Sequence, residues 1–193
     1  FSVSNALTFL GVAHQLTSRA EDIEAADGII LPGVGAFPEA MNRLHAAGLV
    51  ETLQKAAGEK PFLGICLGMQ ALFEDSEENG YTKGLGFLKG NIVKMSDAAE
   101  SRLRIPHIGW NLLEQRQESS VFQRLSERPF VYYVHSYYAQ NYAQEDLLAD
   151  SGYGDMRIPG LVRKDNVVGA QFHPEKSGED GLQILRWFKE EFV

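Results

Sequence analysis

The stretch that most constrains this chain is Gly64-Ile65-Cys66-Leu67-Gly68, which carries its only cysteine. Apolar residues Phe62, Leu63 and Ile65 lead into it, and Met69, Ala71, Leu72 and Phe73 leave it in a helix-like run. Glycines two before and two after a central residue mark a strand-to-helix elbow, because side chains there would collide with neighbouring backbone. Such a turn lifts the central side chain clear of the sheet and sets it at a helix N-terminus. The partial positive charge of that helix end favours thiolate over thiol. Cys66 is therefore a candidate nucleophile.

The rest of the chain supplies the layers that an elbow needs. Gly28-Ile29-Ile30-Leu31-Pro32 is a continuous apolar run, as expected of a strand covered on both faces. Ahead of it we expect a helix from Ser2 to Leu10 capped by Gly11, a strand over Ala13 to Thr17 and a short acidic helix over Arg19 to Ala26. Helices follow over Pro38 to Ala47 and Leu49 to Ala57, then a strand over Pro61 to Ile65 and an elbow helix to about Glu77. Beyond that, strands are expected over Phe87 to Met95, Ile105 to Leu113, Pro129 to Tyr138, Leu161 to Arg163 and Val167 to Phe172, with a short helix near Val121 to Leu125. Leu182, Leu185, Phe188 and Phe192 give a closing helix its apolar stripe. Alternation followed by hairpins predicts an α/β fold: a mixed, largely parallel sheet flanked by helices.

The 193 residues fit one domain, 1–193, with no repeat or linker to divide them. A net charge of −8 argues against nucleic acid or an anionic membrane surface as partner. No apolar run approaches the roughly 20 residues that span a bilayer, and no signal peptide is apparent. A single cysteine makes no internal disulfide, which fits a reducing, cytoplasmic setting.

A cysteine nucleophile needs a base, an orienter for that base and donors for the oxyanion. Of five histidines, only His173 has an orienter nearby: in Phe172-His173-Pro174-Glu175, Pro174 holds the chain extended, so that Glu175 and His173 share a side. Glu175 accepts from one imidazole nitrogen while the other faces Cys66. A free thiol titrates near about 8.5, so an imidazolium neighbour and a helix end are what make it thiolate at neutral pH. The glycine-rich turn Pro32-Gly33-Val34-Gly35 and the amide of Leu67 offer oxyanion donors, each typically contributing about 2.7–4 kcal/mol.

These residues resemble the class I glutamine amidotransferase family, whose elbow reads G-x-C-x-G-x-Q and whose base–acid pair reads H-P-E. The likeness rests on Leu31 to Phe37, Gly64 to Gln70, Pro106-His107-Ile108-Gly109-Trp110-Asn111, Val134-His135-Ser136-Tyr137-Tyr138 and Gln171 to Ser177. It is closest to the branch serving histidine biosynthesis. Branches serving anthranilate or guanylate usually differ where Met69 stands and lack the Pro-His-x-Gly-Trp-Asn run. The resemblance implies Cys66 as attacking thiolate, His173 as base and later acid, Glu175 as orienter, and Val34, Gly35 and Leu67 around the oxyanion. It implies that Gly33, Gln70, Glu74, Ser136 and Tyr137 hold the glutamine substrate. No cofactor or metal is implied.

The resemblance further implies a heterodimer with a synthase, here a cyclase of (βα)₈-barrel type. Glutamine-derived ammonia would pass internally to a phosphoribulosyl-formimino intermediate, giving imidazole glycerol phosphate and aminoimidazole carboxamide ribotide. Pro106, His107, Gly109, Trp110 and Asn111 would lie at that interface, with Trp110 as anchor. The family's chains begin with a strand ending in an Asp-Tyr-Gly-x-Gly-Asn-like segment, so about a dozen residues and one inner strand are expected to be missing ahead of Phe1. Other readings stay open: an amidotransferase subunit of anthranilate or aminodeoxychorismate type, an α/β cysteine hydrolase outside the family, or a silent regulatory partner.

Overall fold

The computed structural model describes residues 2–95 and 103–193. The first half alternates as α1 (Ser2–Phe9), α2 (Ala20–Ala25), β1 (Ile29–Gly33), α3 (Phe37–Ala46), α4 (Val50–Glu59), β2 (Phe62–Cys66) and α5 (Leu67–Ala71). The second half is mostly strand: β3 (Asp75–Ser76), β4 (Thr82–Lys83), β5 (Asn91–Lys94), β6 (His107–Leu112), β7 (Glu114–Gln115), β8 (Phe130–His135), β9 (Tyr137–Gln140), β10 (Leu147–Tyr153), β11 (Met156–Lys164) and β12 (Val167–Ala170). α6 (Gly178–Phe192) closes the chain.

Six strands form the main sheet in the order β1-β2-β12-β11-β10-β7. Parallel pairing is confined to β1-β2-β12, and the other three neighbours are antiparallel. The sheet is mixed, as expected, but it is not largely parallel: only two of its five pairings are parallel, and both lie at the elbow. β2 is buried along its whole length because β1 and β12 flank it and helices cover both faces. On one face Leu63, Ile65 and Phe172 pack with Ile184, Leu185, Trp187 and Phe188 of α6. On the other, Phe62, Phe37, Met41, Leu53 and Met69 form a second apolar cluster with α3, α4 and α5. Two smaller sheets, β4-β3-β5-β9 and β6-β8, stand beside the main one.

Several expected elements differ, each for a visible reason. Ala13 to Thr17 forms no strand: no strand edge receives it among the described residues, and Gln15 and Thr17 bond to the Asp22 carboxylate instead. The elbow helix ends at Ala71 rather than near Glu77. Its exit carbonyls are taken by a crossing segment: Ala71 by the Leu85 amide, Leu72 by Phe87 and Leu88, and Phe73 by Gly86. The strand expected over Phe87 to Met95 narrows to β5, and the helix near Val121 is a 3-10 turn, Ser120–Arg124.

The strand expected over Pro129 to Tyr138 breaks at Ser136. Its first part pairs with β6 and its second with β5, so the chain changes sheets there. β10 has no counterpart among the strands expected from the sequence. Within the sheet, Arg116 and Arg157 pair with the buried Asp150, and the Ser151 hydroxyl donates to the Leu112 carbonyl at 2.7 Å.

Candidate active site

β2 delivers Cys66 with φ 54° and ψ −110°, a left-handed conformation that a non-glycine residue adopts only when its surroundings force it. The forcing is the closeness of the elbow. A Cβ on Gly68 would stand 1.7 Å from the Leu31 carbonyl oxygen, and one on Gly64 would stand 2.6 Å from the Gly68 oxygen. α5 has only five residues, so its dipole is weaker than the sequence suggested.

The neighbouring parallel strand supplies the base. β12 pairs with β2 in register, Ala170 opposite Ile65, and the chain continues three residues to His173 before turning through Pro174–Lys176. The turn is pinned: the Ser177 hydroxyl donates to the His173 carbonyl at 2.7 Å and accepts from the Tyr132 amide at 2.9 Å. Within it, His173 Nδ1 lies 2.9 Å from Glu175 Oε1, both side chains almost fully buried. A carboxylate oxygen accepts, so Nδ1 carries the proton and Nε2 is the working nitrogen. Nε2 is buried with no hydrogen-bond partner among the described residues, as is Glu175 Oε2. Burial alone would lower the His173 pKa, but the side chains of Cys66 and Glu175 outweigh it and hold the ring at about 9. The imidazolium is the prevailing form at neutral pH.

Gly33 is paired across the ladder with Cys66, which sets the turn Pro32-Gly33-Val34-Gly35 beside the nucleophile. Gly35 has φ +103°, open to glycine alone at little cost, and Val34 is 82 % exposed. The far end of the turn is anchored where the Phe37 amide donates to Glu78 Oε2 at 2.7 Å. The Leu67 amide opens α5, immediately after Cys66.

Among the expected substrate contacts, Gln70 is buried, and its Nε2 donates to the Tyr137 carbonyl at 2.9 Å and to Gln171 Oε1 at 3.1 Å. Ser136 and Tyr137 lie at the β8–β9 junction, the Ser136 carbonyl accepting from Met95. Glu74 is exposed and its carboxylate accepts from the Gly90 amide at 2.9 Å. Sequence reasoning gave no role to Gln171 or His135. Gln171 Nε2 approaches Cys66 Sγ at 3.9 Å, and the signal for it was only its place two residues before His173.

On β6 the alternation of a strand sorts the expected interface residues. Ile108 and Trp110 project outward, 59 % and 55 % exposed, so Trp110 is not a core residue. Pro106 is also exposed, and Trp110 meets Tyr132 edge to face at 6.0 Å. His107, only 3 % exposed, turns inward to His135, its cross-strand partner. Asn111 also turns inward, to Gly152. Among the described residues, no three His, Cys, Asp or Glu side chains gather to hold a metal.

A family model described as glutamine amidotransferase class-I matches residues 5–191. The chain is 50 % identical over 190 residues to imidazole glycerol phosphate synthase subunit HisH of Listeria monocytogenes serovar 1/2a, covering 98 % of this chain and 89 % of that one. It is 49 % identical over 189 residues to the subunit of the same name in Bacillus cytotoxicus, covering 97 % and 88 %. A crystal structure titled glutamine amidotransferase superposes with a TM-score of 0.76 over 98 % of this chain and 91 % of that one; at 21 % identity it bears on the fold alone.

Proposed function

This chain belongs to the class-I glutamine amidotransferases, and from that premise we propose that it is the glutaminase subunit of an imidazole glycerol phosphate synthase. It acts in histidine biosynthesis, hydrolysing glutamine to glutamate and ammonia and passing the ammonia to a cyclase subunit. The whole chain works as one domain in a heterodimer. No helix among the described residues is long and apolar enough to cross a membrane, and the proposed setting is the cytoplasm.

In this reading the Cys66 thiolate attacks the side-chain carboxamide carbon of glutamine. The oxyanion so formed accepts from backbone amides of the Val34–Gly35 turn and of Leu67. His173, charged at the outset, gives its Nε2 proton to the departing nitrogen, which leaves as ammonia, and a γ-glutamyl thioester remains on Cys66. The now neutral imidazole takes a proton from water as that water attacks the thioester. Glutamate leaves, and thiolate and imidazolium are restored. Glu175 holds the Nδ1 proton throughout and compensates the ring's charge. Gln70, Ser136 and Tyr137 hold the amino-acid end of the substrate, which keeps the carboxamide over Cys66.

The observation that carries this reading is the buried His173–Glu175 bond at the end of β12, beside the strand that delivers Cys66. Exposed Val34, Ile108 and Trp110 suit docking of the cyclase next to the oxyanion turn. The test is glutamate release by the chain alone and mixed with the cyclase subunit and its acceptor. Turnover should be weak alone and rise on mixing. Full activity without the cyclase would contradict the coupling, and no glutaminase activity in either state would contradict the reading itself.

A further inference from the structure

The inward side of β6 carries a hydrogen-bond chain that the mechanism above does not use. His107 Nδ1 lies 3.0 Å from His135 Nε2, and His135 Nδ1 lies 2.9 Å from the Tyr137 carbonyl oxygen. Asn111 Nδ2 stands 3.5 Å from His107 Nε2 and donates to the Gly152 carbonyl at 2.8 Å. The direction of every bond follows from its ends. A carbonyl only accepts, so His135 carries its proton on Nδ1 and its Nε2 accepts from His107 Nδ1–H. His107 Nε2 then faces the Asn111 amide as an acceptor. Both rings are neutral in this arrangement, and a proton added to either would set two donors against each other.

The chain ends at a carbonyl that matters. The Tyr137 oxygen accepts both from His135 and from Gln70 Nε2, whose second hydrogen goes to Gln171 Oε1. Gln171, 1 % exposed, in turn points its own Nε2 at Cys66 Sγ. The His107 ring is stacked between Tyr133, at 4.7 Å between centroids, and Tyr153, at 4.0 Å, so its orientation is held from both sides.

We propose that His107 is a positioning residue for the glutamine site. By donating to His135 Nε2 it holds that ring, together with the Tyr137 carbonyl, in the Nδ1–H tautomer, and thereby steadies the carbonyl that Gln70 shares. β6 then has two duties, docking on the face of Ile108 and Trp110 and site geometry on the face of His107. The proposal rests on the glutaminase reading above.

The test uses the full chain in complex with the cyclase. His107→Phe keeps a ring between the two tyrosines but removes the donor; it should raise the glutamine KM about tenfold with kcat within about twofold. His107→Asn places an amide nitrogen where Nδ1 stands and should return KM most of the way to the parent value. In a His135→Asn background, His107→Phe should add no further change in KM, whereas a purely packing role would add its full effect. Nitrogen-15 spectra of histidine-labelled protein should show His135 as the Nδ1–H tautomer in the parent and as a tautomer mixture in His107→Phe. A parent-like KM in His107→Phe, failure of His107→Asn to rescue, an undiminished effect in the double variant, or an Nε2–H tautomer of His135 in the parent would overturn the proposal. A parent complex that turns over no glutamine would instead overturn the functional reading, and the tautomer spectra would still decide the His107–His135 relay.

Discussion

Replacing Gly68 by alanine attacks the geometry that presents the nucleophile. The added Cβ would stand 1.7 Å from the Leu31 oxygen and 2.8 Å from its carbonyl carbon. Carbon atoms attract best at about 3.5–4.0 Å, so α5 and β1 must part by well over an ångström to admit it. Neither side yields easily. Leu31 lies in a ladder with β2, its partner being Gly64, and Gly68 sits in the first turn of a fully buried helix. One extra methylene in a close-packed core costs about 1–3 kcal/mol, and an obstacle made of backbone belongs at or beyond the top of that range. We expect Gly68→Ala to lose about 3 kcal/mol or more, a large share of the about 5–15 kcal/mol that holds a domain together. Gly58→Ala serves as control: its Cβ meets nothing within 4 Å at an exposed position of α4, and it should gain about 0.5–1 kcal/mol. Urea unfolding of parent and both variants gives the three midpoints. An unfolding free energy of Gly68→Ala within about 1 kcal/mol of the parent would refute the close approach of α5 to β1, and with it the elbow.

Cys66→Ala should abolish glutamate release while leaving the affinity for the cyclase unchanged in a binding titration, because Cys66 lies inside the site rather than on the β6 surface. Glu175→Gln removes one of the influences that raise the His173 pKa, and turnover should fall about 10²–10⁴-fold. The same variant has a stability signature. A folded pKa of about 9 against about 6.5 unfolded stabilises the parent fully below pH 6.5, and that increment fades as pH rises through 9. Urea midpoints of parent and Glu175→Gln should therefore differ most near pH 6 and converge above pH 9; a constant gap would refute the assignment. Trp110→Ala should weaken cyclase binding by about 2 kcal/mol in calorimetry, and move the melting temperature of the chain alone little, since the ring is largely exposed.

Features set by local chemistry were legible in the sequence. The elbow announced itself because only glycine tolerates backbone at such range, and His173-Pro174-Glu175 because base and orienter lie two residues apart. Features set by what the chain meets elsewhere were not. α5 stops early because residues 85–88 arrive to take the carbonyls at its exit. In β10 the buried Asp150 is satisfied by Arg116 and Arg157, partners distant enough in sequence that local pattern does not reveal them. His107 sits in a motif that reads as surface, and only the pairing of β6 with β8 reveals which of its residues turn inward. Gln171 opens the run that ends at Ser177, but its approach to Cys66 depends on the register of β12 against β2.

Several of the costs that this fold tolerates meet at Cys66 and His173. Cys66 is held at a positive φ, and His173 Nε2 and Glu175 Oε2 are buried without partners among the described residues. Each departs from a rule obeyed through most of the sheet, and each costs on the order of 1–3 kcal/mol. Such costs persist only where the surroundings leave no alternative. Here β2 is clasped between β1 and β12, the elbow is closed by glycine, and Ser177 ties the His173 turn to β8. The rigid strands thus bear the cost of presenting Cys66 in the resting state, so that the nucleophile needs no rearrangement when the carboxamide arrives.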